Sequence, residues 1–406
     1  MVMKTSKISF CVLFALLLFP INGNAQNQIQ INSQIMKLIR KLSFILITFP
    51  FLLSACATGE NLEYPVFTIE LGRNSSEYIF LKDLFEAKEW VVLDTCKDCI
   101  ISSIDKIECA DNDIYILDKV RRKCVYRFSK EGKYKNTIGV YGKGNGEYID
   151  IYDFTIEPLN GNILILGNDS KVYVYDKHGT FLESKNVSKT RLWNIQATKD
   201  GIFMSTNHST FVSGDDAFLL YKFDFSLNFV DKWNRVLPQH TSVMPMSSFV
   251  FQGLRNELSY IDQKQNRIFL FSKKDNKFNK NIEISFPNPR PISHYYDAMI
   301  FMEKENQQKY DWLCEVLRSK DKIVATYFRN GKYCVSVADG RNGKIIKEGI
   351  LAGIMPQIYP LSNDEYIAAI DPEIYISNNL RDEFSTRPKQ EITEESNMLI
   401  VRFKLK

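Results

Sequence analysis

The chain has 406 residues, with 52 lysines and arginines against 48 aspartates and glutamates, and 13% of its residues are aromatic. The excess of positive charge belongs to residues 1–55, which hold Lys4, Lys7, Lys37, Arg40 and Lys41 and no acid; without those five the balance is 47 to 48. No cluster of basic residues dense enough for nucleic acid follows, and a chain this long has room for one large domain but not a second.

From Met36 the chain reads as an address. Met36-Lys37-Leu38-Ile39-Arg40-Lys41 is a basic start, Leu42 to Leu53 is an apolar run, and Leu53-Ser54-Ala55-Cys56 follows. A short apolar run behind basic residues is a secretory signal, too short to span a bilayer. Its ending is similar to a bacterial lipobox, which makes residues 36–55 a lipoprotein signal peptide, Cys56 the lipidated residue and residues 56–65 a tether. Upstream, Met1 to Ala25 is itself signal-like, with an apolar run from Phe10 to Phe19 and Gly23-Asn24-Ala25 before Gln26. Two signals in series are redundant, so translation is expected to begin at Met36, with residues 1–35 a spurious extension. If Met1 is the start, cleavage after Ala25 competes with lipidation.

Beyond the tether, Val66 to Leu71 and Trp90 to Leu93 read as strands. A strand-and-turn phrase then recurs. Val125-Tyr126-Arg127-Phe128 with Gly132 returns as Val172-Tyr173-Val174-Tyr175 with Asp176 and Gly179, as Leu220-Tyr221-Lys222-Phe223 with Asp224, and as Ile268-Phe269-Leu270-Phe271. The anchors Phe128, Tyr175, Phe223 and Phe271 lie 47, 48 and 48 residues apart. A fixed period of 40–50 residues built from alternating apolar strands indicates β-propeller blades. Two more units, Tyr333 to Val337 and Leu399 to Phe403, follow at steps of 66, each readable as a blade plus a loop insertion of about 18 residues, which costs little to close. The count is six.

Within a unit the order is that of a four-stranded blade. In the first, Ile104 to Cys109, Ile114 to Leu117, Cys124 to Phe128 and Tyr134 to Val140 are the strands. Gly161-Asn162 and Asn330-Gly331 suit tight hairpin turns. The chain finishes on a strand, Met398 to Leu405, whose edge needs cover, so the front segment is expected to pair with it and close the ring. The fold class is therefore all-β, a six-bladed propeller over residues 66–406.

Ile104-Asp105-Lys106-Ile107, Asp113 to Asp118, Phe128 to Gly132 and Gly142-Lys143-Gly144-Asn145-Gly146-Glu147-Tyr148 together resemble the six-bladed β-propeller lipoproteins of Bacteroides-type bacteria, relatives in shape of NHL- and TolB-type propellers. That family usually shows Pro where Asn145 stands, which suggests a looser turn here. The resemblance implies a fold and a cell-envelope location but no reaction.

Gly142 to Tyr148 is not a phosphate loop, because Ile149 to Ile156 leads into a strand and such loops need a helix N-terminus. Cys96-Lys97-Asp98-Cys99 lacks both a thioredoxin-like context and a second short-spaced pair for zinc, and reads as a local disulfide or free loop thiols. Cys109 with Cys124, and Cys314 with Cys334, fall on first and third strands, too far apart to bridge. The histidines, His178, His208, His240 and His294, form no catalytic or metal spacing, and His178 sits in a surface turn. Asp111-Asn112-Asp113 and Gly214-Asp215-Asp216 are the candidate Ca²⁺ ligands, although such tips more often simply form turns. Asp105, Asp153 and Asn194 on inner strands are the residues whose convergence on the channel would make a metal site.

Two long segments are candidates for recognition: Pro287 to Ser319, with Tyr295-Tyr296 and a helical patch around Asp297 to Asn306, and the polar Asp371 to Asn397. In the first, Met299, Phe301 and Met302 suggest packing over one face of the ring. The expected protein is a monomeric, lipid-anchored binding or interaction module without a cofactor, facing the periplasm from the outer membrane, with the cell surface as the alternative face, and with a protein, small-molecule or glycan ligand. The alternative is a metal-dependent lactonase- or lyase-like propeller.

Overall fold

The computed structural model describes residues 65–406 except 73–75, 209–217, 237–249, 255–256, 296–299, 301, 354, 362–364, 378–382 and 385; the signal-like segments, Cys56, the tether, His240, Gly214-Asp215-Asp216, Tyr296, Asp297 to Met299 and Phe301 lie outside the described residues. Three strands come first: β1 (Pro65–Glu70), β2 (Tyr78–Ile79) and, after the one-turn helix α1 (Leu81–Leu84), β3 (Phe85–Val92). The first blade is β4 (Lys106–Ala110), β5 (Asp113–Asp118), β6 (Cys124–Ser129) and β7 (Tyr134–Ile138). A short parallel pair, β8 (Val140–Tyr141) and β9 (Glu147–Tyr148), spans the glycine-rich turn into the second blade. That blade is β10 (Ile151–Ile156), β11 (Ile163–Gly167), β12 (Lys171–Tyr175) and β13 (Phe181–Asn186). The third is β14 (Asn194–Thr198), β15 (Gly201–Ser205), β16 (Phe218–Phe223) and β17 (Phe229–Arg235). The fourth holds β18 (Phe251–Leu254), β19 (Glu257–Asp262), β20 (Arg267–Ser272) and β21 (Lys277–Ser285). After helix α2 (Lys304–Lys309), the fifth holds β22 (Trp312–Arg318), β23 (Lys322–Arg329), β24 (Lys332–Asp339) and β25 (Ile345–Leu351). The sixth has β26 (Ile358–Pro360), β27 (Glu365–Ile370) and, past helix α3 (Pro372–Ser377), β28 (Leu399–Leu405). The sheets form a six-bladed β-propeller.

The outermost strand of the sixth blade is β3, antiparallel to β28 from Leu399↔Val92 to Leu405↔Phe85. The ring is thus closed by the front of the chain, as expected. The expectation fails for Val66 to Leu71: β1 runs parallel to β21 as a fifth strand of the fourth blade, and β2 does the same against β25 in the fifth. With β3 filling the place beside β28, the earlier strands cover the next two exposed edges instead, and Ile69 and Leu71 bury their side chains between the fourth and fifth blades.

The repeat has a physical cause. In every blade the pairing of third and fourth strands slips by one residue at the same place: Phe128, Tyr175, Phe223, Phe271, Ala338 and Phe403. The anchor of the fifth blade is therefore Ala338, one residue past the expected Val337. A bulge twists the hairpin and turns its ring inward, where an aromatic partner on the fourth strand meets it edge-on: Tyr134 at 5.8 Å, Phe181 at 5.7 Å, Phe229 at 6.2 Å and Phe278 at 5.3 Å. In the sixth blade that partner is Phe85 of β3, 4.7 Å from Phe403. The turn glycine of the phrase is needed because it approaches the neighbouring blade at positive φ: a Cβ on Gly132 would stand 2.4 Å from the carbonyl oxygen of Val92. Turn aspartates close the hairpins. Asp176 accepts from the amides of His178 and Thr180, and Asp224 from those of Ser226 and Asn228, which holds both carboxyls below the usual range.

Among the described residues the core falls into six clusters, one at each junction between neighbouring blades. Cys96 and Cys99 are disulfide-bonded in the loop after β3, and Asn397 ties that loop to the segment leading into β28 by donating to the carbonyls of Asp94 and Cys99. Cys109, Cys124, Cys314 and Cys334 are free, on first and third strands; burial pushes the Cys109 and Cys124 thiols up to about 12. Of the two long segments, the first ends not as a loop but as β22, the inner strand of the fifth blade. In that segment Tyr295 is buried while Met302 is exposed. The second is docked, with Tyr375 and Phe384 packed edge-on around Trp90, whose indole donates to the Thr386 carbonyl.

Candidate ligand site at the axial mouth

The inner strands surround an axis, and their polar residues meet there. Lys106 of β4 crosses the first junction and goes on to the third blade. Its Nζ lies 3.1 Å from both Glu108 Oε1 and Asp153 Oδ1, and donates to the carbonyls of Phe154 at 2.7 Å and Ile195 at 3.0 Å. The other oxygens continue the network, Asp153 Oδ2 accepting from the Ile195 amide and Glu108 Oε2 from the Ile156 amide. Burial alone would depress Lys106, but the two carboxylates outweigh it and hold the ammonium above its ordinary value. Between the fourth and fifth blades the seam is Gln252, which accepts from the Arg318 amide and donates to the Val316 carbonyl.

Above this layer lies a cavity of about 750 Å³ to which every blade contributes: Lys119 and Lys123 from the first, Asp150 and Tyr152 from the second, Trp193 and Asn194 from the third, Gln263, then Trp312 and Glu315, and finally Gln357. Two walls are shaped by a second kind of irregularity. β10 slips register between Ile151 and Asp153, and β22 between Leu313 and Glu315, so Tyr152 and Cys314 are the extra residues. The second and fifth blades face each other across the axis, so two bulges confront one another at the same end of the channel. Bulges re-aim side chains beside functional sites. On one wall Tyr152 stacks on Trp193 with centroids 4.2 Å apart and planes within 10°. On the other, Glu315 has neither an ion pair nor a hydrogen bond among the described residues, and burial alone lifts its carboxyl to about 7. Lys119 is also lowered by burial, against the pull of Asp153 and Asp105. Lys123 is matched by Asp150 at 2.9 Å.

The candidate channel residues do gather. Asp153 holds Lys106, Asp105 accepts from the Lys119 amide at 2.9 Å, and Asn194 lines the mouth. They surround lysines rather than a vacant ligand set, and among the described residues no three His, Cys, Asp or Glu side chains are grouped to hold a metal ion. Asp111 and Asn112 make a hairpin turn with φ of 50° and 62°, while Asp113 is buried against Arg127 at 2.5 Å. His178 is exposed in its turn. His208, given no role by the sequence, is buried 2.9 Å from Asp262. Glu315 and Lys106 were invisible as site residues: each sits in a strand of ordinary alternation, and only the bulge and the ring assign their direction. At the opposite end a smaller cavity of about 390 Å³ lies beneath Lys106, Glu108 and Arg402.

Comparison with known proteins gives a fold and a family. A putative exported protein of Bacteroides fragilis NCTC 9343 superposes with a TM-score of 0.66 at 14% identity, covering 84% of this chain and 99% of that one. A member of the DUF4221 family from Bacteroides vulgatus ATCC 8482 gives 0.46 at 9% identity, covering 80% and 99%. Among curated proteins, none matches. Residues 65–404, the whole propeller, match the family described as Domain of unknown function (DUF4934), and the chain belongs to that family.

Proposed function

We propose that this propeller is a binding module of the cell envelope that takes its ligand at the axial mouth, with lipid on Cys56 holding it to the outer membrane on the periplasmic side. The observation that carries the ligand site is the 750 Å³ cavity lined by all six blades, in which a carboxyl group without an ion-pair or hydrogen-bond partner among the described residues faces a stacked aromatic wall. Concave sites with an apolar wall and few convergent polar groups are where small ligands or protruding side chains bind. Location outside the cytoplasm is supported by the signal-like leader, by the Cys96–Cys99 disulfide, and by the exported character stated for the Bacteroides fragilis protein. The kinship in shape with NHL- and TolB-type propellers is part of the same proposal.

The test is comparative capture. Wild-type protein and a Gln357→Trp variant, which plugs the mouth, are exposed to cell-envelope extract, and bound molecules are identified by mass spectrometry. Ligand retained by the wild type and lost by the plugged variant supports the reading; identical retention overturns it. Mass spectrometry of the mature N-terminus tests the anchor, since acylated Cys56 is expected and an N-terminus at Gln26 refutes it.

A further inference from the structure

One carboxyl at the mouth, Glu315, has no ion pair or hydrogen bond among the described residues. The carboxylates Asp105, Glu108, Asp150 and Asp153 share the upper channel with the ammoniums Lys106, Lys119 and Lys123, while the Arg290 guanidinium lies 4.1 Å over the Trp312 ring and the Arg191 charge acts on Tyr152. Lys106 is answered by Asp153 and Glu108 and Lys123 by Asp150, while Lys119 has no ion pair among the described residues and the pull of Asp153 and Asp105 does not offset its burial. Glu315 is the carboxyl left over. A half-buried carboxylate without a partner is costly to leave unmatched, and a ligand entering the cavity meets it. An anion would add a second negative charge. A neutral ligand could meet the protonated form of Glu315, whose carboxyl is lifted to about 7, but would not answer the charge it carries above that pH. A divalent metal needs several oxygen ligands, and no further acid is grouped with Glu315 among the described residues.

What completes the site is an organic cation. We propose that the axial mouth binds a primary ammonium group, its charge met by Glu315 and its carbon stem lying along the Tyr152–Trp193 wall. This rests on the reading of the mouth as the ligand site and deepens it. The volume is far larger than an ammonium alone requires, so the ligand carries an apolar portion, and the indole and phenol across the axis offer that portion apolar contact. The facing bulges of β10 and β22 place the two halves of this complement on opposite walls. A free alkylamine and the side chain of a lysine present the same chemistry, and the experiment separates them.

The purified protein is titrated by calorimetry with 1,5-diaminopentane, with Nα-acetyl-lysine methylamide, and with 1,5-pentanediol as the uncharged isostere. One diamine per chain should bind and the diol should not. Comparable binding of the lysine derivative assigns the source to a peptide side chain; binding of the diamine alone assigns it to a free amine. Glu315→Gln should weaken binding about tenfold or more, as expected when a charge-assisted hydrogen bond becomes a neutral one. Trp193→Ala should weaken it several-fold, and serves alone if Glu315→Gln does not fold. Absence of binding by either amine, or equal binding by a folded variant, overturns the proposal. If the amines fail while Gln357→Trp still abolishes capture from extract, only the ligand class is wrong. If the plug changes nothing, the mouth itself is not the site.

Discussion

Ring closure by β3 can be weighed against a built-in control. Phe85 and Phe229 each meet the bulged third-strand anchor edge-on, Phe229 from directly opposite Phe223 and Phe85 from opposite Leu405, but Phe85 is 2% exposed and Phe229 is 56% exposed. Truncating a fully buried phenylalanine costs about 3–5 kcal/mol, including the void it leaves. The edge-to-face pair with Phe403 belongs to that loss and is worth about 0.5–1.5 kcal/mol of it. Phe229 keeps more than half its surface in water, so Phe229→Ala should cost only about 1 kcal/mol. The expected gap between the two variants is therefore about 2–4 kcal/mol. Urea unfolding followed by both tryptophan fluorescence and far-ultraviolet circular dichroism measures it, with coincident transitions required before free energies are compared. A Phe85→Ala loss no greater than that of Phe229→Ala would refute the idea that the front strand latches the ring.

Lys106→Met leaves Asp153 and Glu108 buried without their cation and should cost about 3–5 kcal/mol by the same urea assay; adding Asp153→Asn and Glu108→Gln should restore part of it. Glu315 titrates at about 7 in the fold against 4.5 unfolded, so the unfolded chain releases this proton first and stability falls as pH rises from about 4.5 to 7. Glu315→Gln should therefore gain roughly 2–3 kcal/mol at pH 8 and nothing at pH 4, with a pH-independent difference as the contrary result. Replacing both Cys96 and Cys99 by serine should cost about 2 kcal/mol through the small loop they close, and dithiothreitol should lower the melting temperature of the wild type but not of the double variant.

The blade period was legible because one local event repeats: an apolar third strand, a bulged aromatic and a turn carried by Asp or Gly. Each of those is written within ten residues, so the count of six could be made without knowing the ring. Ala338 shows the limit, since alanine carries no aromatic signal and the anchor reads one residue early. Placement of β1 and β2 was not legible, because their partners, Ile282 and Ile350 among them, lie more than 200 residues downstream and any edge strand offers the same backbone groups. The axial site was hidden for a related reason. Lys106 reads as a solvent-facing residue on an alternating strand, and Glu315 as its counterpart on β22. Their meaning comes from a register slip and from neighbours contributed by other blades.

The strap of β1, β2 and β3 also fixes when the protein can become whole. Its last partner, β28, which ends with Leu405 opposite Phe85, leaves the ribosome some 300 residues after β3, a delay of roughly 15–60 s at about 5–20 residues per second. β21 and β25 emerge before β28, so β1 and β2 can dock earlier, while β3 has no partner until the end and the rim of the sixth blade stays open. The nascent chain can fold its early hairpins but not seal the wheel, so maturation ends in one late, long-range docking step rather than blade by blade.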